Sequence, residues 1–185
     1  FPVLFTHDYF KLSGELTYRP FVTLSYFIDY SLWHMNPFGY HLANMVLHTA
    51  NAVLVYFLVL SLLRRYNKIQ ERHNHIPDAG FALLTCMLFT VHPIVSEVVN
   101  MVSYREDLIA TSFLFASFLV YLSYKERIID LTSSHRPVER GMEASLPVFS
   151  RKSAISFFAG ALVTYFFALL SKESAIVLPA LIFFF

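Results

Sequence analysis

The chain has 185 residues, 56% of them apolar and 17% aromatic against 15% charged, with a mean hydropathy of +0.53 that excludes an ordinary soluble domain. A net charge of +1, with basic residues that form no groove interleaved with aromatics, argues against nucleic acid as a partner. The single cysteine, Cys86, excludes an intrachain disulfide and lies in an apolar run, as a small core residue would. Starting at Phe1 and stopping at Phe185 inside an apolar stretch, the chain reads as a piece of a longer protein with no visible signal peptide.

Residues 1–40 alternate apolar runs with Asp8, Glu15, Arg19 and Asp29 and are rich in aromatics, among them Tyr18, Phe21, Tyr26, Phe27, Tyr30, Trp33, Phe38 and Tyr40. Such rings suit the headgroup level of a bilayer, so this stretch reads as interfacial helices in an outer loop. A hydrocarbon core of about 30 Å takes roughly 20 helical residues, and five segments come near that length. Residues 42–63 form a full span ending at Arg64 and Arg65. Residues 79–91 return and meet His92-Pro93, where proline suits the first turn of a new helix. Ile94, Val95, Val98, Val99 and Val102 then recur at helical spacing opposite Ser96, Glu97, Asn100 and Ser103, an amphipathic helix on the outer surface. Residues 108–124 cross in, 153–170 cross out, and 174–185 begin a fifth span.

Ten of the fourteen Lys and Arg residues fall in the connectors 64–78 and 125–152. Cytoplasmic loops accumulate such residues, which places both connectors in the cytoplasm and the other ionisable groups on the opposite face. The whole chain reads as one membrane domain. His41, Asn44, His48 and Asn51 share one stripe of the first full span and are expected to face other helices rather than lipid. A metal site on that stripe lacks any fixed acidic or cysteine partner. His92, Ser96, Glu97, Asn100, Arg105, Glu106 and Asp107 crowd one outer turn. There Glu106 and Asp107 suit the start of a helix through its dipole, whereas Glu97 and Arg105, set against the membrane, are costly unless paired or used, and one option is a pair with each other. Lys172-Glu173 is an ionic dipeptide between two apolar segments, either a tight interfacial turn or a cation held over a cavity.

Four ordered motifs carry a resemblance: Tyr18-Arg19-Pro20-Phe21; Asn36-Pro37-Phe38-Gly39-Tyr40-His41-Leu42-Ala43-Asn44 with Leu47-His48; Val91-His92-Pro93 with Ser96-Glu97-Val98 and Arg105-Glu106-Asp107-Leu108; and Ser171-Lys172-Glu173-Ser174. Together they resemble the membrane domain of the transmembrane and tetratricopeptide-repeat O-mannosyltransferases and their prokaryotic relatives. The resemblance implies an all-α, polytopic membrane helical bundle of the C-type glycosyltransferase kind. It implies a sugar donor linked to polyprenyl phosphate, a protein acceptor, and a site on the lumenal or periplasmic face of the endoplasmic reticulum or bacterial inner membrane. The family's paired acidic residues would lie upstream of Phe1, and its repeats beyond Phe185.

Glycosyl transfer to a hydroxyl needs a carboxylate to take the acceptor proton and cations to stabilise the departing phosphate. Asp8 and Glu97 are the candidate catalytic carboxylates. Arg19, Arg105 and Lys172 are candidate phosphate ligands, with His41, His92, Asp107 and Glu173 completing the substrate site. No metal ligand is assigned, and dependence on a divalent metal is left open. The rival classes are a transporter or channel, since intramembrane polar groups also mark ion paths, and a non-catalytic scaffold for a repeat domain.

Overall fold

The computed structural model describes residues 19–70, 77–134 and 151–183. Asp8 lies outside them. The described residues are helical without strands: α1 (Pro20–Trp33), α2 (Pro37–Gln70), α3 (Asp78–Val91), α4 (Pro93–Asn100), a 3₁₀ turn (Val102–Tyr104), α5 (Arg105–Ser134), α6 (Arg151–Leu169), a second 3₁₀ turn (Glu173–Ile176) and α7 (Val177–Phe183). The protein is an all-α membrane bundle. Two helical stretches are long and apolar enough to cross a bilayer, Pro37–Lys68 and Val102–Ile129, and α3 with α4 makes a third if that pair, bent by 55°, is one span.

Proline sets where several helices begin. Pro20, Pro37 and Pro93 each open a helix, where the missing N–H costs nothing. Asn36 caps α2, its Oδ1 accepting from Phe38 N–H at 3.1 Å, and the His92 ring caps α4 by accepting from Ile94 N–H at 3.3 Å. Proline also forbids the N–H that would carry α3 through residue 93, which produces the bend.

Two helices run past the ends read from composition. α2 continues from the apolar run 42–63 to Gln70, and α5 continues from 108–124 to Ser134, so parts of the connectors 64–78 and 125–152 are helical. Arg, Lys, Gln and Glu are good helix formers, and no glycine or proline interrupts either extension. Arg65 exploits the added turns by bonding the Leu122 carbonyl and pairing with Glu126 at 3.1 Å, which ties α2 to α5 at the basic end. The second basic connector is shortened from the other side, because α6 starts at Arg151, before the expected 153. The fifth expected span opens with a 3₁₀ turn before α7, and residues 184–185 lie outside those described.

Packing follows the small residues. Ala154, Ala161 and Ala168 recur every seventh position and are all buried, so α6 presents a stripe of methyls to α5 and lets the backbones approach closely. Ser117 Oγ uses that closeness to donate to Ala161 O at 2.8 Å. Phe118 and Leu122 of α5 meet Leu178 of α7 in the core, with Leu58 and Leu62 of α2 packed against them. On the other flank, Ala52 of α2 and Ala82 of α3 are buried, and Cys86 donates its thiol hydrogen to Ala52 O at 3.2 Å. Phe21 packs edge-on against Phe113 and at a tilt against Phe167, with ring centroids 5.8 and 4.8 Å away, fastening the start of α1 to α5 and α6.

The α1–α2 corner needs its glycine. A Cβ at Gly39 would run into the Trp33 indole, which packs edge-on against Phe38 at 5.9 Å. Gly39→Ala is therefore expected to cost about 1–3 kcal/mol by forcing the indole aside. Chemical denaturation of the detergent-solubilised protein would measure this, and Trp33→Ala in the same chain should recover most of the loss.

Candidate functional site

The end of the bundle opposite Arg65 and Glu126 gathers nearly every unusual polar residue. Three members of the stripe on α2, Asn44, His48 and Asn51, face inward, and Asn44 and His48 meet carbonyls that a helix break or end leaves over. At the α3–α4 break, Ile94 N–H is diverted to the His92 ring, and the Nε2 of His48 lies 3.3 Å from Thr90 O. Asn44 donates to Val99 O and Met101 O, both at 3.3 Å, where α4 ends. Asn51 donates to Leu108 O at 3.0 Å and accepts from Ser112 Oγ at 2.7 Å. These three residues stitch helices together, and each such bond contributes on the order of 1 kcal/mol. His41, one turn before Asn44, is exposed.

Arg105 is the most deeply placed charge, with a relative exposure of 0%. Its guanidinium pairs with buried Asp29 of α1. Its Nε donates to Asn44 Oδ1 at 2.9 Å and its Nη2 to Tyr40 O at 2.9 Å, and the plane lies 4.7 Å from the Tyr26 ring centroid. Of the options for Arg105, a pair with Glu97 is not formed among the described residues. The 3₁₀ turn after α4 sends the two side chains apart, and Glu97 stays exposed with no ion pair among the described residues. Nor is Arg105 a cation short of partners: it clasps α1, α2 and α5 from inside.

The remaining charges meet at the surface of the same end. Glu106 and Asp107 start α5, where the helix dipole favours carboxylates. Arg19, just before α1, reaches Glu106 and approaches Glu173 at 3.4 Å. Lys172, in the turn between α6 and α7, lies 2.6 Å from Asp107 and 3.3 Å from Glu106. Two cations and three carboxylates from three separated segments thus form one network, in which Glu106, absent from the site residues expected from sequence, is the shared acid. The dipeptide Lys172-Glu173 lies in a tight turn, with Lys172 half-buried against Asp107 and Glu106.

Burial works to lower the Lys172 pKa, but the hydrogen bonds and charges of Asp107 and Glu106 together lift it above its ordinary 10.5. The Glu173 carboxyl is held below its ordinary 4.5, first by a backbone hydrogen bond, against the opposing effect of burial, and then by Arg19 and Lys172. A raised lysine stabilises the fold fully below 10.5 and loses that contribution as pH rises through its folded value. A lowered glutamate stabilises above 4.5 and loses its contribution as pH falls through its folded value. Glu173→Gln is therefore expected to lower thermal stability slightly at neutral pH and to match the unsubstituted protein in strong acid. Unfolding scans across pH would check this.

Thr23, Tyr26, Phe27 and Tyr30 of α1 and Tyr40 of α2 line an open, mainly apolar groove of about 400 Å³. The four α1 residues occupy positions i, i+3, i+4 and i+7, one helix face roughly 10 Å long that begins one turn after Arg19. Among the described residues no group of three His, Cys, Asp or Glu side chains is placed to hold a metal ion.

Several known proteins are similar to this chain. It is 36% identical to the human protein O-mannosyl-transferase TMTC4 over 126 residues, 64% of this chain and 17% of that protein. Human protein O-mannosyl-transferase TMTC3 is 34% identical over 127 residues, 66% of this chain and 12% of its own length. The Caenorhabditis elegans protein O-mannosyl-transferase F38B6.6 is 28% identical over 129 residues, 66% of this chain and 17% of that protein. The chain thus spans less than a fifth of the length of these relatives. No family model matches it, and no solved structure does.

Proposed function

Since this chain is related in sequence to the TMTC protein O-mannosyl-transferases, we infer that it is part of a membrane glycosyltransferase that moves a sugar, mannose by that kinship, from a polyprenyl-phosphate donor to a protein hydroxyl. The observation that carries the reading is the convergence of Arg19 and Lys172, 153 positions apart in the chain, on Glu106, with an apolar groove whose lining on α1 begins at Thr23, one turn after Arg19. A polyprenyl phosphate has the matching form, a compact anion joined to a hydrocarbon chain. The two cations hold the phosphate and stabilise the charge that builds on it as the glycosidic bond breaks. The chain's first isoprene units lie along the Thr23–Tyr26–Phe27–Tyr30 face. Asp107 and Glu173 keep Lys172 and Arg19 in place. Arg105 is assigned a positioning role, since its donors are consumed within the bundle.

The carboxylate that takes the acceptor's proton is assigned to Glu97 or Asp8. Glu97 is supported by its exposure on α4 and by the absence of an ion pair among the described residues. His41 and His92 remain candidates for hydrogen bonds to the donor, His41 being the less committed because His92 already caps α4. The animal relatives support the endoplasmic reticulum membrane, and the basic ends of α2 and α5 support a lumenal site.

The purified full-length protein, given an acceptor protein and mannose linked to polyprenyl phosphate, is expected to transfer the sugar. Use of a nucleotide sugar in place of the lipid-linked donor would overturn the reading. Cysteines introduced at residues 64–78 should label only from the cytoplasmic side. Labelling there from the lumen would place the site in the wrong compartment.

A further inference from the structure

Glu106 is the pivot of the ion network. Its Oε2 receives Arg19 Nη1, and its Oε1 faces Lys172 Nζ at 3.3 Å. A phosphate held by the same two cations would present the same arrangement, two anionic oxygens on one centre with each meeting one cation. The surroundings hold further donor capacity. Arg19 Nε is buried with no acceptor among the described residues, and Lys172 commits two of its three donors, to Glu106 and Asp107.

Resting on the phosphate site of the preceding subsection, we propose that Glu106 is a built-in stand-in for the ligand's phosphate. In the unliganded protein its carboxylate occupies the anion position between Arg19 and Lys172, and a phosphate ester takes the site by displacing it. The remaining pairs survive the exchange, since Asp107 still holds Lys172 and Glu173 still faces Arg19. The arrangement answers an electrostatic problem. Two cations at the edge of a bilayer are costly without an anion, and the resident carboxylate compensates them while the site is empty. It also imposes a selection, because a neutral headgroup cannot compete with a carboxylate for two charge-assisted contacts.

The consequence has a definite sign. Glu106→Gln removes the competing charge and keeps the side-chain shape, so it should tighten binding of a phosphate ester. A purely structural Glu106 would leave affinity unchanged or weaken it. The experiment is calorimetric titration of the full-length protein in detergent with farnesyl phosphate, with farnesol as the uncharged comparison. Glu106→Gln is expected to bind farnesyl phosphate about tenfold more tightly and farnesol no differently. Glu106→Asp, one methylene too short to span both cations, should fall between the two and guards against a fold defect in the amide variant. In an Arg19→Gln, Lys172→Gln background, affinity should drop and Glu106→Gln should have no further effect.

Unchanged or weaker binding in both Glu106 variants, with the double cation variant still impaired, overturns the stand-in and leaves the phosphate site intact. The same holds if Glu106→Gln tightens binding equally in the double cation background, because that effect is a general field. Unimpaired binding in the double cation variant removes the phosphate site itself.

Discussion

Arg105→Met should cost about 3–5 kcal/mol of stability, the loss expected when one partner of a buried ion pair is removed. Asp29 would be left as a buried carboxylate, Asn44 and the Tyr40 carbonyl would lose their donor, and the cation over the Tyr26 ring would vanish. Denaturation in detergent, followed by helical circular dichroism, would measure the loss. The companion variant Arg105→Met with Asp29→Leu is expected to recover a large part of it, since replacing both members of a buried pair with apolar groups is often neutral. A single variant as stable as the unsubstituted protein would mean that the clasp does not hold α1 to the bundle.

Lys172→Met should slow sugar transfer by the full-length protein about 10²–10³-fold in kcat, the effect of removing one preorganised donor to developing charge. Lys172 is placed for this because its acidic partners keep it charged through the physiological range while the turn between α6 and α7 holds it at the rim. Lys172→Arg should retain part of the rate, since the charge persists in another shape. An unchanged kcat in Lys172→Met, with an intact unfolding profile, would assign the lysine to holding the turn alone. Stability and catalysis are thereby assigned to different cations, Arg105 to the first and Lys172 to the second.

The boundaries of helices were legible wherever the cause was local. Pro20, Pro37 and Pro93 announce helix starts, the His92-Pro93 break separates α3 from α4, and the apolar runs mark the bundle. The helices continue past residues 63 and 124, where the apolar spans read from composition stop, because polar residues such as Arg, Lys and Glu end an apolar run without ending a helix. The inward stripe of Asn44, His48 and Asn51 is visible from spacing, whereas its partners, carbonyls at the α3–α4 bend, at the end of α4 and on the face of α5, are not. The seven-residue spacing of Ala154, Ala161 and Ala168 is a signal of close packing that the sequence carries.

Pairing of charges was the least legible feature. Glu97, eight positions from Arg105, is the partner that sequence proximity offers, and the structure pairs Arg105 with Asp29, 76 positions away. Asp29 carried a clue, since an acid within the otherwise apolar Phe21 to Trp33 needs a compensating cation. Glu106 looked like a helix-start acid, which it is, and its bridging of Arg19 and Lys172 depends on three segments meeting.

By itself the sequence determined that the protein is a helical membrane bundle, where its helices break, and which end collects its unusual charges. Each of these follows from hydrophobic length, proline and composition within a few turns of chain. Only the tertiary structure decided that Arg105 turns inward to Asp29 while Arg19 and Lys172 share Glu106 at the rim. Coulomb attraction favours any opposite pair, and which pair forms is fixed by how closely α1, α5 and the α6–α7 turn pack, a distance that no local pattern encodes.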